Sequence, residues 1–133
     1  FLSYLMRCAI TGAPYTVYGY GARQVRDNLH SADLVRAFET FVAQPRQAAV
    51  YNIGGGRLVN CSMLEAIELC EELTGSQVHW TLDERARVGD HIWWISDLDE
   101  FRRDYPRWQP EHDLSAILSE IREHNAERWL ATT

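Results

Sequence analysis

At 133 residues the chain suits one domain or a large part of one, against the usual span of about 100–200 residues per domain. Its net charge of −6 argues against non-specific nucleic-acid binding, which rests on clustered positive charge. All thirteen basic residues are arginines, so Schiff-base and other lysine chemistry is excluded.

The opening residues, Phe1 to Gly12, read as a helix already in progress, with no capping residue ahead of it and no initiating Met. The expectation is a fragment whose upstream part lies outside this sequence. Tyr15 to Tyr18 then reads as a short strand closed by a turn through Gly19 and Gly21, and Gln24 to His30 as a second extended segment. Ser31 and Asp33 open a predicted helix to about Gln44, with Leu34, Val35, Phe38 and Val42 on its core side and Pro45 as its stop.

Ala48 to Ile53 is apolar enough for a strand running into Gly54, Gly55 and Gly56. Ser62 and Glu65 make a capping box for a helix that ends at Gly75, with Leu64, Ile67, Leu69 and Leu73 toward the core. Val78 to Leu82 reads as another strand, Asp83 to Gly89 as a charged loop, and His91 to Ile95 as an apolar segment. Asp97 is placed to cap a short helix ending near Tyr105, and Asp113 a long terminal one striped by Leu114, Ile117, Leu118 and Ile121. The alternation of helices and short strands predicts a single α/β unit.

Cys8, Cys61 and Cys70 show no CxxC spacing and read as buried or free thiols. No apolar run is long enough to span a membrane and no signal-peptide pattern occurs, so a cytoplasmic location is expected, without nucleic-acid or membrane partners. The five histidines have no metal-type spacing. The glycine triplet lacks both nucleotide fingerprints and reads as a turn.

Two arginines stand apart. Arg26 lies just ahead of the helix near Ser31, and Arg87 lies ahead of the pair Trp93 and Trp94. Presented from loops, two guanidinium groups could grip a pyrophosphate through bidentate hydrogen bonds. On the residues alone, a solvated arginine or an internal ion pair with Asp27 or Asp90 accounts for each at least as well.

Read in order, these segments resemble the substrate domain of extended short-chain dehydrogenase/reductases, the family of nucleotide-sugar epimerases and dehydratases. The resemblance rests on Tyr18 to Leu34, with Gln24-Val-Arg-Asp-Asn28 at its centre, and on Tyr51-Asn-Ile-Gly-Gly-Gly56. It continues through Asn60-Cys-Ser-Met-Leu-Glu-Ala66 and Gly89-Asp-His-Ile-Trp-Trp-Ile-Ser-Asp97. Within the family these words sit nearest the branch that epimerises CDP-linked sugars at C2.

The resemblance implies that residues 1–133 are a C-terminal nucleotide-sugar-binding domain of a Rossmann-type enzyme, built of mixed short strands and helices. The missing N-terminal part would hold NAD and supply a Tyr-x-x-x-Lys pair that this chain lacks, leaving the chain inactive alone. By matched position, Arg26 and Arg87 would bind the diphosphate, Asp90 would order the loop or the ribose, and Tyr18, Gly19 and Trp94 would shape the pocket. The implied ligand is a CDP-sugar or another nucleotide-diphosphate sugar. Its C2 would be oxidised to a keto intermediate and reduced on the opposite face. A homo-oligomer is a further implied partner. The alternatives are a stand-alone, non-catalytic nucleotide-sugar-binding module and a fragment of a sibling 4-epimerase or 4,6-dehydratase.

Overall fold

The computed structural model of the chain describes residues 1–132. Two hydrophobic clusters organise it. The larger lies between three helices and a parallel strand pair. Helix α1 (Leu2–Thr11) buries Leu2, Leu5, Met6 and Ala9, an i, i+3, i+4, i+7 stripe, and ends where Gly12 turns left-handed at φ 72°. Helix α3 (Met63–Thr74) begins with the full capping box of Ser62 and Glu65 and ends at left-handed Gly75. Its buried stripe is Met63, Ala66, Ile67 and Cys70. Leu64, Leu69 and Leu73 are only partly covered, so the expected face is rotated.

Helix α5 (Leu114–Leu130) starts as predicted, with Asp113 Oδ1 accepting the Ala116 N–H at 2.8 Å, and buries Ile117 and Leu118. Beside these helices, β1 (Tyr15–Tyr18) pairs in parallel with β4 (Trp80–Asp83), Tyr15 against Trp80 and Tyr18 against Asp83. The three cysteines are free and buried in this cluster. Burial pushes the Cys61 thiol up to about 11 and that of Cys70 up to about 12, which leaves both protonated and inert at neutral pH.

The second cluster is small and aromatic. Ala37 of α2 (Ser31–Ala43) meets Leu98, Phe101, Tyr105 and Trp108, with Phe41, Tyr51 and Ile53 at its margin. Helix α4 (Asp99–Asp104) contributes Phe101. The two clusters are tied by Asp33, whose side chain is fully buried. Its carboxylate accepts hydrogen bonds from Arg36 at 2.6 Å, the Glu111 N–H at 3.2 Å and the His112 N–H at 3.1 Å. Burial alone would raise its pKa. The Arg36 guanidinium and the two backbone donors outweigh that and hold it down at about 2.

Helix α2 opens at Ser31 with Asp33 in its first turn, as expected, and its N-cap is His30, whose Nδ1 accepts the Ala32 N–H at 3.1 Å. Three expectations are corrected. The predicted core stripe of α2 is largely bare: Val35 is 51%, Phe38 58% and Val42 73% exposed. Residues 48–53 pair with no strand among the described residues. Asp97 does not cap α4 directly: it accepts the Asp99 N–H at 2.9 Å, one residue ahead of the N-cap Leu98.

The remaining sheet has β2 (Val25–Asp27) at its centre. It is antiparallel to β3 (Asn60–Ser62) and parallel to β5, which is only Trp93–Trp94. Among the described residues no helix is long and apolar enough to cross a membrane.

Candidate diphosphate cleft

Where β1 ends, the chain makes an unusual turn. Gly19, Tyr20, Gly21 and Ala22 all have positive φ, at 68°, 54°, 57° and 62°. For Tyr20 and Ala22 this conformation costs roughly 1–2 kcal/mol each, so the surroundings must impose it. Ala22 is fully buried, and the Tyr20 hydroxyl donates to the Asp90 carbonyl at 3.4 Å. Gly19 is required for a second reason. A Cβ there would lie 2.8 Å from the Ala86 Cα, so only glycine lets the 84–90 loop come so close. Strain of this kind concentrates at ligand clamps.

The result is a cleft of about 220 Å³ to which Tyr18, Gln24, Arg26, Arg87 and Asp90 contribute. Arg26 Nη2 donates to Asp90 Oδ1 at 2.5 Å, and Nη1 donates to the Val25 carbonyl at 2.7 Å. Asp90 Oδ1 also accepts the His91 N–H at 2.9 Å, so the carboxylate orders its own loop while it aims the guanidinium. Arg87 differs. Its guanidinium carbon sits 4.5 Å from the centre of the Tyr18 ring, with no carboxylate partner among the described residues. Its fork is therefore positioned by a cation–π contact with its N–H donors uncommitted.

The cleft thus joins four of the six residues singled out, Tyr18, Arg26, Arg87 and Asp90, with Gly19 acting through the loop approach. Trp94 is the exception. It stands in register with Arg26, but its ring packs against His91 at 4.9 Å, 53% exposed, and does not line the cleft. Gln24 went unnoticed as more than a motif letter. It is buried, and its amide donates to the Tyr18 carbonyl at 3.2 Å, fixing β1 against the start of β2. Its place two residues before Arg26, between Arg23 and Val25, was the only available signal.

Asp27, the other candidate partner for Arg26, is used elsewhere. Its Oδ2 accepts the Gly56 N–H at 2.9 Å and the Ser96 N–H at 3.0 Å. This settles the glycine triplet as well. A Cβ on Gly54 would strike that carboxylate, and one on Gly55 would strike the carbonyls of Asn28 and Val59. Gly54 and Gly55 are thus glycines because protein atoms crowd their Cα positions, and no step through NAD is derived from these residues.

A complete small-molecule site usually occupies roughly 300–1,000 Å³. At about 220 Å³ this cleft lies below that range. The chain belongs to the nucleotide-sugar epimerases and dehydratases of the NAD-dependent extended short-chain dehydrogenase/reductases.

Three curated relatives are similar to it. The dTDP-glucose 4,6-dehydratase of Shigella flexneri is 30% identical over 133 residues, covering 94% of this chain and 34% of that protein. UDP-arabinose 4-epimerase 1 of Arabidopsis thaliana is 32% identical over 90 residues, covering 66% and 20%. CDP-paratose 2-epimerase of Salmonella typhi is 28% identical over 100 residues, covering 74% and 29%.

Two solved structures show the same fold. MoeE5 in complex with UDP-glucuronic acid and NAD superposes with a TM-score of 0.79 at 29% identity, over 93% of this chain and 41% of that one. The UDP-glucose 4-epimerase of Thermotoga maritima with UDP-glucose gives 0.80 at 23% identity, over 96% and 39%. The chain spans between a fifth and about a third of the curated relatives it matches. No protein-family model matches it.

Proposed function

We propose that this chain supplies the diphosphate-gripping wall of a nucleotide-sugar epimerase, and that the substrate of the whole enzyme is a CDP-linked sugar inverted at C2 with NAD as cofactor. The observation that carries the reading is the unpaired Arg87 fork, held on Tyr18 beside the Asp90-aimed Arg26. Arg26 keeps free N–H donors beyond the two it spends, so both arginines can reach one anion. Holding the diphosphate leaves the keto sugar free to turn and present its opposite face to a hydride donor, which an epimerase passing through a keto intermediate requires. Asp90 is a positioning residue in this scheme. The base preference for CDP is supported by the likeness to the Salmonella typhi 2-epimerase and by the run from Gly89 to Asp97.

The test is titration of CDP into the protein carrying this chain, followed by the tryptophan fluorescence. Arg87→Ala and Arg26→Ala should each weaken binding by about 1.5–3 kcal/mol, the range for hydrogen bonds to charged groups. Unchanged affinity in both variants would remove the cleft from the site. A second reading has its own support. The 4,6-dehydratase and 4-epimerase relatives are at least as similar as the 2-epimerase, so a sibling activity fits the same cleft. Tighter binding of UDP or dTDP than of CDP would select it. CDP binding by a protein that never turns over a CDP-sugar would instead select a non-catalytic binding module.

A further inference from the structure

The start of α2 is held by two histidines that the cleft does not use. Their rings are stacked, with centroids 4.0 Å apart and planes 18° from parallel. His30 leads from β2 into α2, and His112 stands just before α5. The charged and titratable groups packed around the pair are Asp33 and Arg36 of α2, Glu111 beside His112, and Glu120 and His124 of α5.

The bonds of each ring decide where its proton sits. His30 Nδ1 accepts the Ala32 N–H at 3.1 Å and so carries no proton. Its Nε2, 2.8 Å from Glu120 Oε2, is the donor of that pair, since an ionised carboxylate only accepts. Both nitrogens are committed, and the ring so bonded is neutral. His112 is arranged the other way. Its Nδ1 is shut off from solvent 3.1 Å from Asp33 Oδ2. A lone pair there would face the ionised Asp33, so Nδ1 carries the proton and Nε2 is left open.

One more proton therefore has opposite effects on the two rings. On His112 it enters at Nε2, breaks no bond and leaves a cation beside Asp33. On His30 it enters at Nδ1, where it displaces the Ala32 N–H and removes the cap of α2. A charge already on the stacked His112 opposes that step further. Glu120 pulls the other way, but it is 46% exposed and screened by solvent, and it keeps the same Nε2–H bond in either state.

We propose that His30 and His112 form a proton-operated latch on the entry to α2, in which His112 takes the first added proton and the latch releases when His30 is charged. Imidazole ordinarily changes charge between about pH 5 and pH 8, so the cap is present at the upper end of that range and lost toward the lower. Release frees the first turn of α2, which begins five residues after Arg26. The latch does not depend on the functional reading above.

Long-range proton–nitrogen correlation spectra of the imidazoles test it in the protein carrying this chain, taken from about pH 8 to pH 5. His30→Asn and His112→Asn identify the two sets of signals. At the upper end His30 should carry its proton on Nε2 and His112 on Nδ1. On acidification the Ala32 amide should move with the His30 ring, and after the His112 ring. In His112→Asn, which offers Asp33 a neutral donor, the midpoint of that Ala32 movement should rise by roughly one pH unit. His30→Asn supplies a cap that takes no proton. Its melting temperature should gain about 2–4 °C on that of the unmutated protein across the same pH fall, the scale of one helix cap. A proton on His30 Nδ1 at the upper end overturns the latch. So does an Ala32 amide that ignores the charging of His30, an Ala32 midpoint unmoved in His112→Asn, or a melting-temperature gap that stays flat with pH.

Discussion

The two clusters of this chain are sealed to different degrees. The larger one is closed: α1, α3 and α5 each turn a continuous stripe inward, Leu5, Met6 and Leu118 are fully buried, and α3 and α5 carry side-chain caps. The aromatic one is packed from one side only. Its inner contacts are specific, with Trp108 Nε1 donating to the Asp33 carbonyl at 3.2 Å and Tyr105 to the Gln44 carbonyl at 2.8 Å, yet α2 and residues 49–53 turn apolar groups to solvent. Local sequence rules describe the first well because its helices need nothing beyond each other. The second follows the same rules, with part of its apolar surface left uncovered in this chain.

That contrast can be broken at the closed side first. Leu118→Ala should cost about 2–5 kcal/mol through lost burial and a residual cavity, read as a drop in chemical-denaturation stability. If the aromatic signals of Phe101 and Trp108 melt at the same denaturant concentration, the clusters form one cooperative unit; separate transitions would mark them as independent.

The link between them is sharpened by acid. The Asp33 carboxylate has a folded pKa of about 2 against an ordinary value near 3.9, so it contributes stability above about pH 4 that is lost as the pH falls toward 2. The contribution is on the order of 2 kcal/mol. Asp33→Asn should remove that part of the acid dependence, measured as the difference between the two proteins' stabilities across pH 2–5. A variant with an unchanged acid profile would show that Asp33 is not the link. The smallest effect belongs to a closed-side helix end. Ser62→Ala breaks the capping box and should cost about 1 kcal/mol, read in the same denaturation assay, without moving CDP affinity.

How far these features could be read from sequence follows the same division. Strand Tyr15–Tyr18, the capping box at Ser62 and the Asp113-led helix lie where propensity and spacing put them, because each is specified by neighbours within a few residues. The core side of α2 was misplaced for a physical reason. The 3.6-residue period identifies an apolar face without saying what covers it, and Asp33 drew the helix onto residues 108–112 by a polar contact that no periodicity encodes. In the cleft, the residue types were legible, and so was the choice of Asp27 or Asp90 as a partner for Arg26. Deciding between them required the Asp27 contacts to Gly56 and Ser96, three segments far apart in sequence. The Arg87 contact with Tyr18 was equally hidden.

The parallel register of β1 and β4 has a consequence for the order in which the chain folds. Tyr18 and Asp83, the last pair of that register, stand sixty-five positions apart in sequence, and their meeting brings Arg87 toward Tyr18. Helix α3, with its own start and stop signals, can form on contacts a few residues apart, on a timescale of microseconds or less. The strand pair must wait for a distant encounter, and such long-range parallel pairings are slow. The arginine-bearing cleft is therefore assembled late in time from parts specified far apart, and a newly made chain carries formed helices before it carries a cleft.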